Sequence, residues 1–526
     1  MAKGEQQAWI DRAIAALKGE GRRALIEFLQ RQRWFGGKGK SLADVRVSDA
    51  VGFSDGGAPW LLAFLLVEYR GGVKERYVMP LAVKPKSGLD DATALVEMPE
   101  SSGQEWLCDA TGDAHVWITL YESVARGRAS AAQSGCLVGR ALPQRLEELA
   151  QEVREVKVLS AEQSNTSVIL DRRVILKLIR KQDVGVNPDS EMLEFLTAQT
   201  TCQDVPALWG LLTYEDGEGE ARVQPATVAV IQRFVPNIGD GWTYTLAHLA
   251  TLLDEGGKAA TGPGEELSRA ITTMSGSYLK QIRRLGEITG GLHEALASRQ
   301  EPEAFGPELI SARDIEHWKN EMLKHLAEVC QDLRALQPGR QSALRLTEVD
   351  VVRLETGCRG RFDDLCLLTQ DTVKKIRHHG DYHLGQVLKT TDGFVVIDFE
   401  GEPARSLEAR RDKVCPLKDV GGMLRSFNYA AHAALTQRGA ASSTDFGLVK
   451  EWEGAARAAF LDGYRSVAKP GQAVFLPATW EAAVRVIQVY ELDKALYELR
   501  YEMRNRPDWL MIPLEGIRSL TQEQVG

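Results

Sequence analysis

Two short segments in the C-terminal third of the chain constrain its fold more than any other part of the sequence. They read H-H-G-D-Y-H-L-G-Q-V-L over residues 378–388 and V-V-I-D-F-E-G-E-P over residues 395–403. Apolar residues flank the polar ones, a pattern that indicates short strands on either side of a loop. We expect residues 395–397 to fix the loop against a core, and His379 to hold it by packing and hydrogen bonding.

The polar residues of these segments have the spacing that phosphoryl transfer requires. The reaction needs a carboxylate that accepts the proton of a substrate hydroxyl, and oxygen ligands that hold Mg²⁺ on the phosphates of ATP. Asp381 takes the place of the base, Gln386 follows five residues later, and Asp398 begins the next turn. Amide and carboxylate oxygens both suit a hard cation. Each residue alone would be an ordinary surface residue, but together they predict the catalytic centre of a kinase.

A second group of elements, between residues 145 and 236, has the order expected of the small lobe of a kinase. V-I-L-D-R-R-V-I-L-K-L-I-R-K predicts a hairpin that turns at Asp171 and Arg172, and N-P-D-S-E begins a helix. Lys177 on the second strand is expected to contact the α- and β-phosphates while paired with a carboxylate of that helix. Glu191 is the preferred partner, and the alternative is that Lys177 is an exposed strand residue.

Two further segments are predicted to bind the nucleotide. The first occupies the place where protein kinases have a glycine-rich loop, and it would hold phosphate through hydroxyl and backbone N–H groups; alone, such a sequence is usually only a turn. The second is the connection between the two lobes, whose backbone would bind the edge of the adenine. The residues are Ser164, Asn165, Thr166 and Ser167 in the first segment, and Gln232, Phe234 and Val235 in the second.

The rest of the chain predicts three regions. Residues 1–145 are expected to form an α+β cap, with two helices over residues 6–32 and strands between residues 44 and 127, including H-V-W-I-T-L-Y-E-S-V. Residues 146–235 would be the small lobe. Residues 236–526 show mainly helical periodicity and would form the large lobe that carries the catalytic loop, the metal and the sugar.

Composition excludes several other classes. The formal net charge of −9 argues against a general nucleic-acid binder. The densest apolar run, over residues 61–67, is far too short to span a bilayer. The seven cysteines include no C-x-x-C pair, which indicates reduced thiols in a cytoplasmic protein.

Taken as a set, the motifs resemble the bacterial maltokinase family. The resemblance rests on E-Q-S-N-T-S, G-V-N-P-D-S-E, H-G-D-Y-H-L-G-Q-V-L, I-D-F-E-G-E-P and K-D-V-G-G-M-L-R-S-F-N-Y-A, and extends to the N-terminal R-Q-R-W-F-G-G-K-G-K and the C-terminal Y-E-L-D-K-A-L-Y-E-L-R-Y. It therefore covers nearly the whole chain. The family also includes maltokinase-like modules fused to trehalose synthases and a glucosamine-kinase branch.

The resemblance implies an aminoglycoside-phosphotransferase-like, bilobal kinase fold with an N-terminal cap and a mainly helical C-lobe. It implies ATP-dependent phosphorylation of maltose at its anomeric hydroxyl, giving maltose 1-phosphate for α-glucan synthesis. Asp381 is then the base, Gln386 and Asp398 hold Mg²⁺, and association with a trehalose synthase is possible for such a chain. A kinase for another sugar, glucosamine first, and a non-catalytic nucleotide-binding partner are the alternatives.

A sugar needs carboxylates, amides and aromatic faces, and several residues near the catalytic segments could supply them. Those on the helical segment after residue 489 recur at three- and four-residue steps, which is also the pattern of ordinary helix packing. Glu402 and Arg405 are expected either to brace the loop or to place the substrate. The candidates for the sugar are His383, Glu400, Asp419, Tyr490, Glu491, Lys494 and Trp509.

Overall fold

The computed structural model shows two compact units. The first comprises Met1–Thr197 with Pro206–Pro236, and the second comprises Ala198–Val205 with Asn237–Gly526. The structure describes residues 3–54, 57–99, 104–159, 164–216, 225–259, 265–337, 339, 344, 346–370, 372–403, 405–439 and 442–521.

The first unit begins with two helices that pack on a six-stranded antiparallel sheet. The helices are α1 (Lys3–Ala16) and α2 (Glu20–Arg31), and the strands are β1 (Leu42–Phe53), β2 (Trp60–Tyr69), β3 (Lys74–Pro85), β4 (Ala94–Glu97), β5 (Glu105–Asp109) and β11 (Lys181–Gln182). Their order is β1-β2-β3-β5-β4, and β11 pairs with β3. Leu25 and Phe28 of α2 belong to the same buried core cluster as Leu61 and Ala63 of β2, so one face of this sheet forms a core with the helices.

A second antiparallel sheet of seven strands completes the first unit. Its order is β6-β7-β12-β13-β10-β9-β8. The strands are β6 (Ala129–Ala131), β7 (Cys136–Ala141), β8 (Val156–Val158), β9 (Thr166–Leu170), β10 (Val174–Leu178), β12 (Leu208–Glu215) and β13 (Ala226–Arg233), and the helices are α3 (Ala114–Ala125), α4 (Leu146–Leu149) and α5 (Pro188–Gln199). Strands β6 and β7 lie within the region predicted as the cap, and they belong to this second sheet.

The predicted hairpin around Asp171 and Arg172 is confirmed. Both residues have positive φ, 48° and 53°, in the tight turn that joins Leu170 to its strand partner Val174. The predicted strand H-V-W-I-T-L-Y-E-S-V is wrong, because these residues form α3. Asp113 caps that helix by accepting a hydrogen bond of 3.0 Å from the His115 amide. Most side chains of α3 are buried, so its apolar residues show no periodicity that separates helix from strand.

The second unit is mainly helical, in agreement with the predicted α+β class and helical C-terminal region. Its helices are α6 (Gly241–Ala259), α7 (Glu265–Met274), α8 (Gly276–Leu296), α9 (Ala312–Arg334), α10 (Glu348–Phe362), α11 (Leu367–Gln370), α12 (Leu417–Arg438), α13 (Ser443–Val467), α14 (Trp480–Asn505) and α15 (Met511–Thr521). Four short strands form two pairs, β14 (Glu308–Leu309) with β15 (Lys374–Lys375) and β16 (Val387–Lys389) with β17 (Phe394–Val396).

Close helix packing supports this unit. Gly286 of α8 lies so near α13 that a Cβ there would fall 2.0 Å from the Phe460 carbonyl oxygen, and a Cβ at Gly463 would fall 1.9 Å from the Arg283 oxygen. Only glycine permits this approach. Within the described part of the chain, no helix has both the length and the apolar character needed to cross a membrane.

Candidate active site

The predicted catalytic loop, residues 379–386, lies directly before the β16–β17 hairpin. His379 connects the two, because its Nε2 donates to the Ile397 carbonyl at 2.9 Å and the Ile397 amide donates to the Gln386 carbonyl at 3.0 Å. The ring of His379 also packs between Tyr382 and Phe399, with centroids 5.2 and 5.0 Å away. These contacts agree with the structural role predicted for His379.

Asp419 at the start of α12 holds the backbone of the same loop. Its carboxylate accepts hydrogen bonds from the backbone amides of His379 at 2.7 Å and Gly380 at 3.0 Å, and lies 3.2 Å from His293 Nε2. The residue is only 2% exposed. Because donors of the protein itself occupy these oxygens, we assign Asp419 to support of the loop and correct its prediction as a sugar contact.

Asp381, the predicted base, lies beside a lysine and a histidine. Lys494 Nζ is 3.0 Å from Asp381 Oδ1, and His383 Nε2 is 4.0 Å from Asp381 Oδ2. Burial opposes ionisation of Asp381, but Lys494 and His383 outweigh it and hold the pKa of the carboxyl below its usual value. Burial lowers the pKa of His383, whose Nδ1 accepts a 3.0 Å hydrogen bond from the Gly385 amide.

Lys494 also reaches a second carboxylate of the site. Its Nζ lies 4.0 Å from Glu402, which pairs with Arg405 at 2.9 Å and with Lys418 at 3.9 Å. Burial would lower the pKa of Lys494, but the nearby carboxylates raise it. Burial likewise opposes ionisation of Glu402, yet its three cationic neighbours lower the pKa to about 2. The network holds ionised carboxylates and a protonated lysine next to Asp381. Glu402 and Arg405 brace the loop, one of the two roles expected.

Gln386 and Asp398 lie side by side, as the prediction of a metal site requires. Gln386 Nε2 donates to Asp398 Oδ2 at 2.9 Å. Asp398 has a positive φ of 68°, a strained conformation for this residue type that is common at functional sites. An amide carbonyl next to a carboxylate is a donor set that fits Mg²⁺.

The sugar candidates on α14 divide into buried and accessible residues. Glu491 is 2% exposed and forms a bidentate ion pair with Arg457, at 2.6 and 2.8 Å. This pair stabilises the packing of α14 on α13, so we correct the prediction of Glu491 as a sugar contact. Tyr490 is 4% exposed. Outside the helix, Glu400 lies 3.8 Å from Arg410, whose guanidinium also approaches the Glu400 carbonyl.

An aromatic groove of about 310 Å³ lies on the exposed side of the same helix. Tyr497 and Tyr501 are 43% and 44% exposed, and their rings face the groove together with Lys494. Trp509 stacks on Tyr429 at the groove's far end, at 6.4 Å between centroids. The remaining lining residues are Trp242, His383, Gly385, Gly422, Ser426, Glu498, Glu502 and Arg506. Trp242 and Tyr429 carry no motif that could have identified them in the sequence.

The nucleotide residues of the first unit form a separate group. Lys177 Nζ lies 3.6 Å from Asp189 Oδ2, and Asp189 is 1% exposed. The sequence analysis named Glu191 as the partner of Lys177 and did not name Asp189, which also lies in the first turn of α5. Both carboxylates lie on the helix that follows the lysine strand, so motif spacing alone does not single out one partner for Lys177.

The predicted phosphate loop is shorter than expected in the structure. Ser164 and Asn165 lie in the turn, whereas Thr166 and Ser167 belong to β9 and are buried. Thr166 Oγ1 accepts a hydrogen bond of 2.8 Å from the buried Arg180. Thr166 thus supports the strand, which corrects its prediction as a phosphate ligand.

The connecting segment follows β13. Gln232 lies on this strand between β10 and β12 and is 4% exposed, and Val235 is also buried. The Phe234 amide donates to the Arg173 carbonyl at 2.7 Å. Its N–H is thus engaged within the sheet, which leaves the carbonyl of Phe234 for the adenine contact predicted there.

Comparison with known proteins finds similarity to sugar kinases. Residues 28–113 match the family model of the maltokinase N-terminal cap domain. Over 366 residues, 69% of this chain and 73% of the relative, the sequence is 24% identical to the glucosamine kinase of Streptacidiphilus jiangxiensis. It is 25% identical to that of Mycolicibacterium smegmatis over 379 residues, which are 71% and 82% of the two chains. A glucosamine kinase solved with glucosamine, ADP and inorganic phosphate has a TM-score of 0.62 at 19% identity, covering 94% and 98% of the chains.

The fold of the chain is that of the glucosamine kinase compared above, and its relatives and its site support an ATP-dependent sugar kinase. The chain is similar to the glucosamine kinases over about 70% of its length, and residues 28–113 match the cap domain of the maltokinases.

Proposed function

We propose that the protein transfers the γ-phosphate of ATP to the anomeric hydroxyl of maltose, giving maltose 1-phosphate for α-glucan synthesis. The observation that supports a neutral acceptor is the pairing of the carboxylates around Asp381 and in the groove. Asp381 faces Lys494 at 3.0 Å, and Asp493 faces His325 at 3.4 Å. In the groove, Glu498 pairs with Arg425 and Glu502 with Arg506, at 2.8 and 2.7 Å. An amino sugar needs an unpaired carboxylate for its ammonium group, whereas maltose does not.

The chemistry proposed for Asp381 follows from its ionised state. The sugar hydroxyl donates its proton to Asp381 as its oxygen bonds to the γ-phosphorus, and ADP leaves with the electrons of the broken P–O bond. Lys494, which raises the fraction of ionised Asp381, is a positioning residue for that base. The hydroxyl must reach the carboxylate within hydrogen-bond distance for this transfer.

Gln386 and Asp398 are the residues that would hold Mg²⁺. A bound Mg²⁺ neutralises the negative charge that builds up on the phosphates. Gln386 would present its carbonyl oxygen, which requires its amide to rotate away from the orientation that donates to Asp398.

Lys177 is proposed to contact the α- and β-phosphates while Asp189 orients its ammonium group. Ser164 and Asn165 would supply hydroxyl, amide and backbone donors to the same phosphates. Asp189 is almost completely buried, so its carboxylate holds Lys177 in a fixed position. Fixing a cation before the nucleotide binds lowers the entropy cost of binding.

Aromatic faces support a sugar at the groove. The rings of Tyr497 and Tyr501 are the most exposed large aromatic side chains of α14 among the described residues, and sugar rings stack on such faces through their C–H groups. With its volume of about 310 Å³, the groove is large enough for a disaccharide.

Glucosamine is the second candidate, because both curated relatives are named glucosamine kinases. The two acceptors are separated by a panel of neutral and amino sugars with ATP, in which ADP release is measured and the position of the product phosphate is assigned by NMR. Turnover of maltose with little turnover of glucosamine supports the proposal. Turnover of glucosamine and none of maltose contradicts it.

Lys494→Met tests whether the charge of Lys494 disfavours an amino sugar as the acceptor. The substitution leaves Asp381 and Glu402 with less cationic charge, so the ratio of glucosamine to maltose turnover should rise relative to the wild type. A ratio that does not change would show that Lys494 does not select against an ammonium group.

The family resemblance also leads us to propose a cytoplasmic location and association with a trehalose synthase. Co-elution of the two purified proteins in size-exclusion chromatography tests the association. A non-catalytic partner module is a poorer proposal, because Asp381, Gln386 and Asp398 form a single cluster with the loop that holds them. Absence of phosphorylation with every sugar of the panel would favour it.

A further inference from the structure

A cavity of about 680 Å³ lies in the second unit, beside the catalytic loop. Its walls come from α9 and from segments at both ends of the loop, and Tyr490 and Asp493 of α14 line one side. The segments are residues 375–380, residues 401–402 and residues 405–414. It meets the small void around Asp381, because Gly380, Glu402 and Tyr490 line both spaces. It shares no lining residue with the aromatic groove.

Three polar atoms at the wall of this cavity have no hydrogen-bond partner among the described residues. They are both ring nitrogens of His378 and the hydroxyl oxygen of Tyr490, and all three are shielded from solvent. Tyr490 is 96% buried, since only 4% of its surface is exposed. Buried polar atoms are normally hydrogen-bonded, so these three atoms are candidate contacts for a molecule bound beside them.

The chemistry of these atoms points to hydroxyl groups as their partners. Burial lowers the pKa of His378 to about 3, so at neutral pH one ring nitrogen donates and the other accepts. The Tyr490 hydroxyl can do either. A hydroxyl of a ligand also both donates and accepts, and it therefore satisfies all three positions without bringing charge into the cavity.

Several charged residues at the wall are paired with one another. The ion pairs are Lys375–Asp314 at 2.7 Å, Arg405–Glu402 at 2.9 Å and His325–Asp493 at 3.4 Å, and Lys413 pairs with Glu308. A neutral ligand leaves these pairs intact. Trp318 of α9 is partly exposed and presents its indole to the cavity. An apolar ring face, unpartnered polar atoms and balanced charge together describe a saccharide site.

We propose that this cavity binds a neutral oligosaccharide as a second saccharide site, separate from the acceptor groove. This second site rests on the proposed function, because an acceptor that is phosphorylated at its terminal anomeric hydroxyl extends to only one side of Asp381. The acceptor takes the side with the tyrosine faces, and the cavity remains for another molecule. Its volume is about twice that of the groove, 680 against 310 Å³, so it accommodates more than a disaccharide.

Isothermal titration calorimetry of the full chain with maltotriose, without ATP, tests this site. The wild type should bind two molecules per chain. Trp318→Ala should bind one, retaining the groove site, whereas Tyr497→Ala should retain the cavity site. Tyr490→Phe, which removes a single oxygen, should weaken the cavity site about fivefold. Trp106→Ala is the matched control, because it removes a partly exposed indole in the first unit.

One bound molecule in the wild type would overturn the proposal. Two bound molecules in Trp318→Ala, together with an unchanged affinity of the cavity site in Tyr490→Phe, would also overturn it. Loss of all binding in Trp318→Ala with an unchanged melting temperature would also overturn it, since the cavity would then be the acceptor site itself. Should Trp318→Ala fail to fold, Tyr490→Phe alone decides the outcome. Failure of the proposed function is seen separately, as absence of maltose phosphorylation, because the titration involves no turnover.

Discussion

Lys494 Nζ lies 3.0 Å from Asp381 Oδ1, so the carboxylate proposed as the base forms an ion pair with a residue of α14. The ammonium group lowers the proton affinity of Asp381 and keeps it ionised, which a base requires. It also makes Asp381 a weaker base. The position of Lys494 therefore balances the ionised fraction of Asp381 against its proton affinity.

Asp381→Asn is expected to lower kcat about 10²–10⁴-fold, the usual contribution of a general base. The amide has nearly the same shape as the carboxylate but accepts no proton from the sugar. ATP affinity should change little, because Lys177 belongs to the other unit and does not depend on Asp381. Measurements of ADP release and of nucleotide affinity by titration check both statements. A near-normal rate in this variant would refute the assignment of Asp381 as the base.

Lys494→Met is expected to move the acidic limb of the kcat/KM profile to higher pH. The pKa of Asp381 is held below its usual value although burial opposes this, and Lys494 is the largest of the opposing influences. Loss of that charge raises the pKa, so a larger part of Asp381 is protonated and inactive at low pH. The pH profiles of wild type and variant give the shift. Lys494→Arg, which keeps the charge, is the control, and an equal shift there would contradict the electrostatic explanation.

Gln386→Leu is expected to raise the Mg²⁺ concentration needed for half-maximal activity at least tenfold. The substitution removes a metal-binding carbonyl and leaves Asp398 as the ligand of this pair, and loss of a ligand weakens binding of a hard cation. Gln386→Asn keeps the carbonyl with a shorter reach and should be less affected. Activity measured over a Mg²⁺ titration at fixed ATP separates the two. Equal curves for both variants would argue against Gln386 as a ligand.

Asp189→Asn is expected to lower kcat/KM for ATP about tenfold, because the proposed phosphate contact of Lys177 loses a charged partner 3.6 Å away. Glu191→Gln, two residues later on the same helix, serves as the comparison and should have the smaller effect. Steady-state kinetics with ATP as the varied substrate measures both. A larger loss in Glu191→Gln would favour the partner that the sequence indicated.

Asp419→Ala is expected to lower the free energy of unfolding by about 3–5 kcal/mol, as removal of one partner of a buried pair does. The substitution leaves the His379 and Gly380 amides and His293 without an acceptor. Asp419→Asn keeps one acceptor oxygen and should lose less stability. Denaturant unfolding measures the difference. Equal stability of Asp419→Ala and wild type would show that other groups hold the loop.

Motif spacing predicted that Gln386 and Asp398 lie next to each other, and the structure places them so. Gln386 and Asp398 are 12 residues apart, and the hairpin between them has a regular local structure that brings them to 2.9 Å. Local geometry of this kind follows from the sequence, because strand pairing and the turn determine it.

Contacts between distant helices could not be predicted in the same way. Glu491 and Lys494 lie three residues apart on α14, yet one is paired with Arg457 inside the fold and the other faces Asp381. The rotation of α14 against α12 and α13 decides which face is buried, and packing of side chains from all three helices sets that rotation. Asp419 shows the same limit, since its role depends on where α12 begins relative to the loop.

Two buried polar residues of the first unit have a consequence for how this chain could be shortened or recombined. Asp49 of β1 accepts hydrogen bonds from the amides of Gln133 and Gly135 and from the Tyr214 hydroxyl, at 2.8, 3.0 and 2.5 Å. Arg180 donates to Thr111 and to the Val78 carbonyl. Both join the two sheets, whose apolar faces share one core. A truncated enzyme without the cap would expose that core and lose these bonds. A shortened chain or a chimera must therefore keep the cap together with the seven-stranded sheet.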